Sequence, residues 1–120
     1  MLLPILKCKI HRATVTDANV NYEGSITIDA DLMRSAGLLP FEKVHIANLN
    51  NGARIETYAM EGKHGSGVIC MNGGAALHAK VGDLVIIMVY ALMTPEEAQV
   101  HHPKIIQVDK QNKQSKILKA

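Results

Sequence analysis

Residues 2–16 are rich in β-branched and apolar side chains, which predicts a long strand. Lys7, Lys9 and His11 fall on one face of it, and Leu6, Cys8, Ile10 and Arg12 on the other. A short β-prone run follows at 25–29. Residues 29–37 read as a helix, with Asp29 as a possible cap and Gly37 as a stop. Runs at 44–48 and 54–60 flank Asn50-Asn51-Gly52, where Asn-Gly is a strong hairpin signal. A strand at 67–71 leads into Asn72-Gly73-Gly74-Ala75-Ala76, a short Ala-rich turn or helix. The stretch VGDLVIIMVYALM from Val81, at 81–93, predicts a strand buried on both faces. Thr94-Pro95-Glu96-Glu97 has the form of a capping box. Residues 105–108 predict a last strand, and 110–120 a flexible polar tail. Frequent strands with brief helices point to a small mixed barrel, a single domain over 1–109.

Composition narrows this little. Hydrophobic residues make up 48% and aromatics 3%, so the core must be aliphatic. A net charge of +2 gives no ground for nucleic-acid binding. Cys8 and Cys70 lie in apolar runs without zinc-ligand spacing, which predicts two buried thiols in a reducing compartment. The start of the chain lacks the form of a signal peptide, and no apolar run is long enough to span a bilayer. A cytoplasmic location is expected. His45, His64, His78, His101 and His102 form no recognisable ligand pattern.

The chain contains two Gly-Ser pairs, Gly24-Ser25 and Gly65-Ser66. Either can be a turn. Either can also be a bond that breaks, because a serine hydroxyl can attack the preceding carbonyl and turn an amide into an ester. A planar peptide resists that attack unless it is strained or its carbonyl is polarised. Glycine suits the position before the serine, tolerating unusual φ without crowding the nucleophile.

Motifs elsewhere bear on the first pair. Lys9-Ile10-His11-Arg12 precedes Tyr22-Glu23-Gly24-Ser25-Ile26-Thr27-Ile28-Asp29. Asn51-Gly52, Arg54 and Thr57-Tyr58 follow, then Asn72-Gly73-Gly74-Ala75-Ala76 and Val81-Gly82-Asp83. In this order and spacing, residues 1–109 resemble the bacterial pyruvoyl-dependent aspartate 1-decarboxylases. The resemblance implies a mainly β fold, a small double-psi β-barrel with a few short helices. It implies a precursor cut between Gly24 and Ser25 into a β chain of 1–24 and an α chain of 25–120. Ser25 would become a covalent pyruvoyl group, and neither pyridoxal phosphate nor a metal is expected. The activity implied is conversion of L-aspartate to β-alanine and CO2 through a Schiff base, in support of pantothenate and coenzyme A synthesis. A homotetramer with sites between subunits is implied, and some relatives need an accessory maturation protein. Neither nucleic acid nor membrane is an expected partner.

The resemblance also assigns roles. Tyr58 would return a proton to the product, since a phenol keeps its proton at neutral pH. Arg54 would bind the carboxylate that is retained, because clamping the departing one would stabilise the ground state. Lys9 would add positive charge, and His11 would hydrogen-bond the substrate or assist processing. Thr57 would offer its hydroxyl to the Gly24 carbonyl and later line the pocket. Asn72, Gly73, Gly74 and Ala75 would close the pocket, and Tyr22 would pack beside the cleavage site. Gly74 departs from the usual alanine. Strict alternation puts Arg54 and Tyr58 on one strand face and Thr57 on the other, so one site for all three needs a bulge, a twist or a second subunit. Two other readings start from the same residues. Cleavage that left Ser25 with a free amine would suit an N-terminal-nucleophile hydrolase, and a Lys-rich tail could serve a nucleic-acid-binding barrel.

Overall fold

The computed structural model describes residues 1–119. Strands β1 (Leu3–Thr14), β2 (Asp17–Asn19) and β3 (Ser25–Asp29) lead to helix α1 (Ala30–Ala36). Then come β4 (Lys43–Asn48), β5 (Arg54–Gly62), β6 (Ile69–Asn72) and a 3-10 helix over Gly73–His78. β7 (Leu84–Met93), α2 (Pro95–Val100), β8 (Lys104–Val108) and β9 (Gln114–Lys119) complete the chain.

The strands form one mixed sheet in the order β2-β6-β3-β5-β4-β7-β1-β8-β9. β1 and β2 are nearly one run, and this run closes the barrel. Its first part pairs antiparallel with β7, and its end pairs parallel with β6. At the crossover, Val15 N–H donates to Asp83 O at 2.9 Å and Thr16 N–H to Ile69 O at 2.8 Å. Parallel β1–β8, β2–β6 and β3–β5 pairs thus sit in an otherwise antiparallel wall. The fold is the expected mainly β barrel with short helices. Its core is aliphatic, with Ile10, Ile26, Ile28, Ile46, Ile69, Ile87 and Ile106 at 2% exposure or less. α1 contributes Leu32, Met33 and Ala36 to that core.

Local signals in the sequence explain most element ends. Asp29 caps α1 by accepting from Asp31 N–H, and Gly37 ends it at φ 78°. Gly52 turns the β4–β5 hairpin at φ 77°. Thr94 and Glu97 form the predicted capping box.

Three expectations are corrected. Arg12 does not share the core face of β1. A bulge between Ile10 and Ala13, with Arg12 at φ 62°, hands the inward position to Ala13 and leaves Arg12 exposed. β7 is not buried on both faces, because a barrel has a single interior. Val85, Ile87 and Val89 point in, while Tyr90 and Leu92 are exposed on the outside. The segment from Lys110 is not a flexible tail. It turns at Asn112 and returns as β9, antiparallel to β8. Asn112 is 1% exposed; its side chain accepts from Thr14 N–H at 2.7 Å and donates to Thr14 O and Gly67 O, each at 2.8 Å.

Candidate active site

Ser25 opens β3 and stands opposite Asn72 of β6. It is 2% exposed and has φ 135°, in a region that L side chains rarely adopt. A residue held there costs roughly 1–3 kcal/mol, so the fold keeps strain at this peptide. Asn72 Nδ2 donates to Ser25 Oγ at 3.0 Å and to Thr27 Oγ1 at 2.9 Å. Cys70 Sγ lies 3.1 Å from Asn72 Oδ1. Burial, then the Asp17 carboxylate, pushes the Cys70 thiol up, so it keeps its proton and can donate.

The backbone before Ser25 is fixed by a glycine across from it. Gly73 has φ 59°, and a Cβ there would come within 2.8 Å of Tyr22 O and 2.9 Å of Gly24 Cα and N. Only glycine lets the loop approach Tyr22 and Gly24 this closely. Gly74 differs, since a Cβ on it would meet nothing within 4 Å. A cleft of about 420 Å³ opens beside the bond, lined by Gly24, Thr57, Gly74, Ala75, Glu56 and His78 among others. The 3-10 helix bordering it is tethered from β4 and its turn. Asn48 Nδ2 donates to His78 O at 3.1 Å and to Asp83 Oδ2 at 2.9 Å, and Asn51 Nδ2 donates to His78 O at 3.0 Å. The Asn51-Gly52 and Gly82-Asp83 motifs are thus struts of this loop.

Gly24, Ser25, Thr57, Asn72, Gly73, Gly74 and Ala75 therefore converge on one place. Tyr22 brings its carbonyl to the same place while its ring is 62% exposed. Lys9, His11, Arg54 and Tyr58 do not join them. Across the wall, Lys9 stands opposite Met88, Met88 opposite His45, and His45 opposite Glu56. Arg54 and Tyr58 flank Glu56 at two-residue spacing on the outward side of β5, whereas Thr57 and Ala59 lie on the inner side. Arg54 shares a small outer cavity with His45, Glu56 and Met88. Glu56 lines both this cavity and the cleft. Tyr58 is 37% exposed and stacks on Phe41 with centroids 6.4 Å apart.

His11 lines a third, separate cleft with Arg12, Gln107 and Lys110. Its buried Nδ1 has no hydrogen-bond partner among the described residues, and burial, then Lys9 and Arg12, push its pKa down. Cys8 is buried as expected and its thiol is pushed up to about 11, first by burial, whereas Cys70 is only part-buried.

The second Gly-Ser pair is a turn. Ser66 is exposed, and its hydroxyl donates to Lys63 O and accepts from Val68 N–H. Gly65 and Gly67, at φ 76° and 72°, both donate to the Asp29 carboxylate.

Sequence reasoning missed Thr27 and Cys70 as members of the network around Ser25 and Asn72. Alternation places Thr27 with Ser25 and Cys70 with Asn72, but only the β3–β6 register, with Thr27 opposite Cys70, unites the four.

Comparison with known proteins identifies the family. The family model described as "Aspartate decarboxylase" matches residues 1–115. The chain belongs to the aspartate decarboxylase family. As such it is an enzyme, a carboxy-lyase. It is 60% identical to an aspartate 1-decarboxylase of Caldicellulosiruptor saccharolyticus over 94% of this chain and 88% of that one. A relative of the same name from Thermoanaerobacter pseudethanolicus is 60% identical over 91% of this chain and 93% of its own. One from Listeria monocytogenes is 58% identical over 93% and 88%. Among solved structures, the rationally designed mkDPBB_sym_86 protein aligns with TM-score 0.49 at 18% identity, over 74% of this chain and 97% of its own. Among the described residues no helix is long and apolar enough to cross a membrane.

Proposed function

We propose that this chain is a precursor that cuts itself between Gly24 and Ser25 and then decarboxylates L-aspartate to β-alanine and CO2. The observation carrying this reading is Ser25 itself, strained at φ 135°, buried, and held through its hydroxyl by Asn72.

In maturation, the Ser25 hydroxyl attacks the Gly24 carbonyl carbon while its proton passes to the departing amide nitrogen, giving an ester and a free amine. Thr57, in the same cleft as Gly24, offers a hydroxyl to the carbonyl oxygen as it gains charge. Loss of the Ser25 Cα proton then expels Gly24 as a carboxylate. Water releases ammonia from what remains and leaves a ketone at position 25. Residues around Ser25 fit such a group, since Gly24 and Gly73 leave the carbonyl uncrowded and Asn72 offers a donor beside it. The pyruvoyl group supplies a carbonyl that condenses with the substrate amine and takes up the electrons of the broken C–C bond.

The remaining work belongs to side chains. Arg54 grips the retained carboxylate through its planar fork, and Lys9 adds charge for a dicarboxylate. Tyr58 returns a proton to the former α carbon. Asn72 and the loop Gly73-Gly74-Ala75 close the pocket, and His11 serves as a polar neighbour of Lys9. Arg54, Lys9 and Tyr58 lie on the outer wall, and Asn72 with its glycine loop at the cleft, so a complete site takes its cationic half from a second subunit. An exposed apolar strip of Phe41, Tyr58, Tyr90 and Leu92 beside that outer wall suits burial against another copy, in a homotetramer. The enzyme works in the cytoplasm, with or without a maturation factor.

Incubating purified protein with L-aspartate and assaying β-alanine and CO2 tests this reading. Ser25→Ala is expected to remain one uncut chain without activity, whereas Ser66→Ala cleaves and turns over normally. Equal loss of activity in both variants would refute it.

A further inference from the structure

Ser25 and Thr27 alternate along β3, Cys70 and Asn72 along β6, and the register sets Ser25 opposite Asn72 and Thr27 opposite Cys70. Four polar side chains thus form a square on one face of an otherwise aliphatic barrel wall. The Asn72 amide lies at its centre of contact, with Oδ1 toward Cys70 and Nδ2 toward both Ser25 and Thr27. We propose that Cys70 and Thr27 are positioning residues for self-cleavage, which hold the Asn72 amide with its Nδ2 facing Ser25 Oγ.

The chemistry of the donors supports this assignment. In the opposite orientation Oδ1 would face two hydroxyls able to donate, and NH2 would face sulfur, a weak acceptor. The hydroxyls alone therefore do not choose between the two orientations. A protonated thiol does, because it offers a donor that only Oδ1 can accept. Burial and the Asp17 carboxylate favour that protonated form. Thr27 fixes the amide laterally by taking its second N–H, leaving the first for Ser25.

The orientation matters at the step that breaks the chain. Once the ester has formed, Ser25 Oγ is the atom that leaves with Gly24 as carboxylate, so it gains negative charge as its bond to Cβ breaks. An N–H aimed at that atom stabilises the charge, whereas a flipped amide would set Oδ1 against it. The inference rests on the self-cleaving reading of Ser25.

Precursor cleavage after pulse labelling, timed by fragment appearance on a denaturing gel, provides the test. Losing one hydrogen bond of about 1 kcal/mol corresponds to roughly a 5-fold change. Cys70→Ala is expected to cleave about 5-fold more slowly, and Cys70→Ser, which restores a donor, to return within about twofold of wild type. Thr27→Val is expected to slow cleavage similarly and Thr27→Ser to preserve it. Melting temperatures establish that each variant is folded; should Cys70→Ala fail to fold, Thr27→Val against Thr27→Ser decides by the same criterion. Wild-type rates in the alanine and valine variants, or failure of Cys70→Ser to recover, would overturn the assignment. An uncut wild type would overturn the self-cleaving reading instead, so the two failures are distinct.

Discussion

Asp29 is 1% exposed and accepts from three backbone N–H groups, those of Asp31, Gly65 and Gly67. Burial alone would raise its pKa, but those three bonds and nearby Lys113 outweigh burial and hold the carboxyl below its ordinary value. A depressed folded pKa means that the ionised group stabilises the fold fully above the unfolded pKa near 3.8, and that this is lost as pH falls through the folded value. Asp29→Asn is expected to cost about 2 kcal/mol in urea unfolding at pH 7, and the gap from wild type to shrink as the solution is acidified. A gap constant with pH would show that the charge contributes nothing. At Gly74 the open space and an ordinary φ predict the opposite sign: Gly74→Ala should gain about 0.5 kcal/mol in the same assay and cleave normally. Single residues were unevenly legible in the sequence. Gly37, Gly52 and Thr94 announce their roles locally, because a cap or turn needs only its immediate neighbours. Ser25 does not, since its strain depends on Asn72 and Gly73, far along the chain.

Elements were legible where one period dominates and illegible where pairing partners decide. The alternation of β1 is plain up to Ile10, but the bulge that turns Arg12 outward is imposed by β7 and carries no sequence mark. The apolar run of β7 gives its existence and length; which of its residues meet the interior depends on barrel closure. The polar stretch from Lys110 reads as a tail because nothing local shows that Asn112 inserts between Thr14 and Gly67. That insertion makes β9 and the turn before it part of the fold. Asn112→Ala would leave the Thr14 N–H and two carbonyls without their partners. It should lower stability by about 2–3 kcal/mol, measured by urea unfolding, whereas a loose tail would tolerate the change.

At the scale of the whole molecule, the cleft beside Ser25 and the outer wall bearing Arg54 are separate surfaces of one chain, and the proposed site takes one from each of two subunits. Ser25→Ala chains would keep an intact outer wall, and Arg54→Ala chains would keep the ketone. Co-expressed in equal amounts, two inactive variants should regain roughly a quarter of wild-type activity by random assortment if the site spans subunits. No recovery would place Arg54 and Ser25 in one chain's site. Family membership was legible from dispersed motifs, and alternation already set Arg54 and Tyr58 on the face opposite Thr57, whereas the meeting of Ser25 with Asn72 depends on strand pairing. Beneath all of it lies the claim that the Gly24–Ser25 bond is broken by Ser25 itself. An intact mass spectrum of the denatured, purified enzyme tests that claim most directly. The account predicts two fragments, residues 1–24 and 25–120, the larger one lighter than a serine-headed chain by one ammonia. An active preparation with an unbroken 120-residue chain, or with a larger fragment headed by unmodified serine, would contradict it.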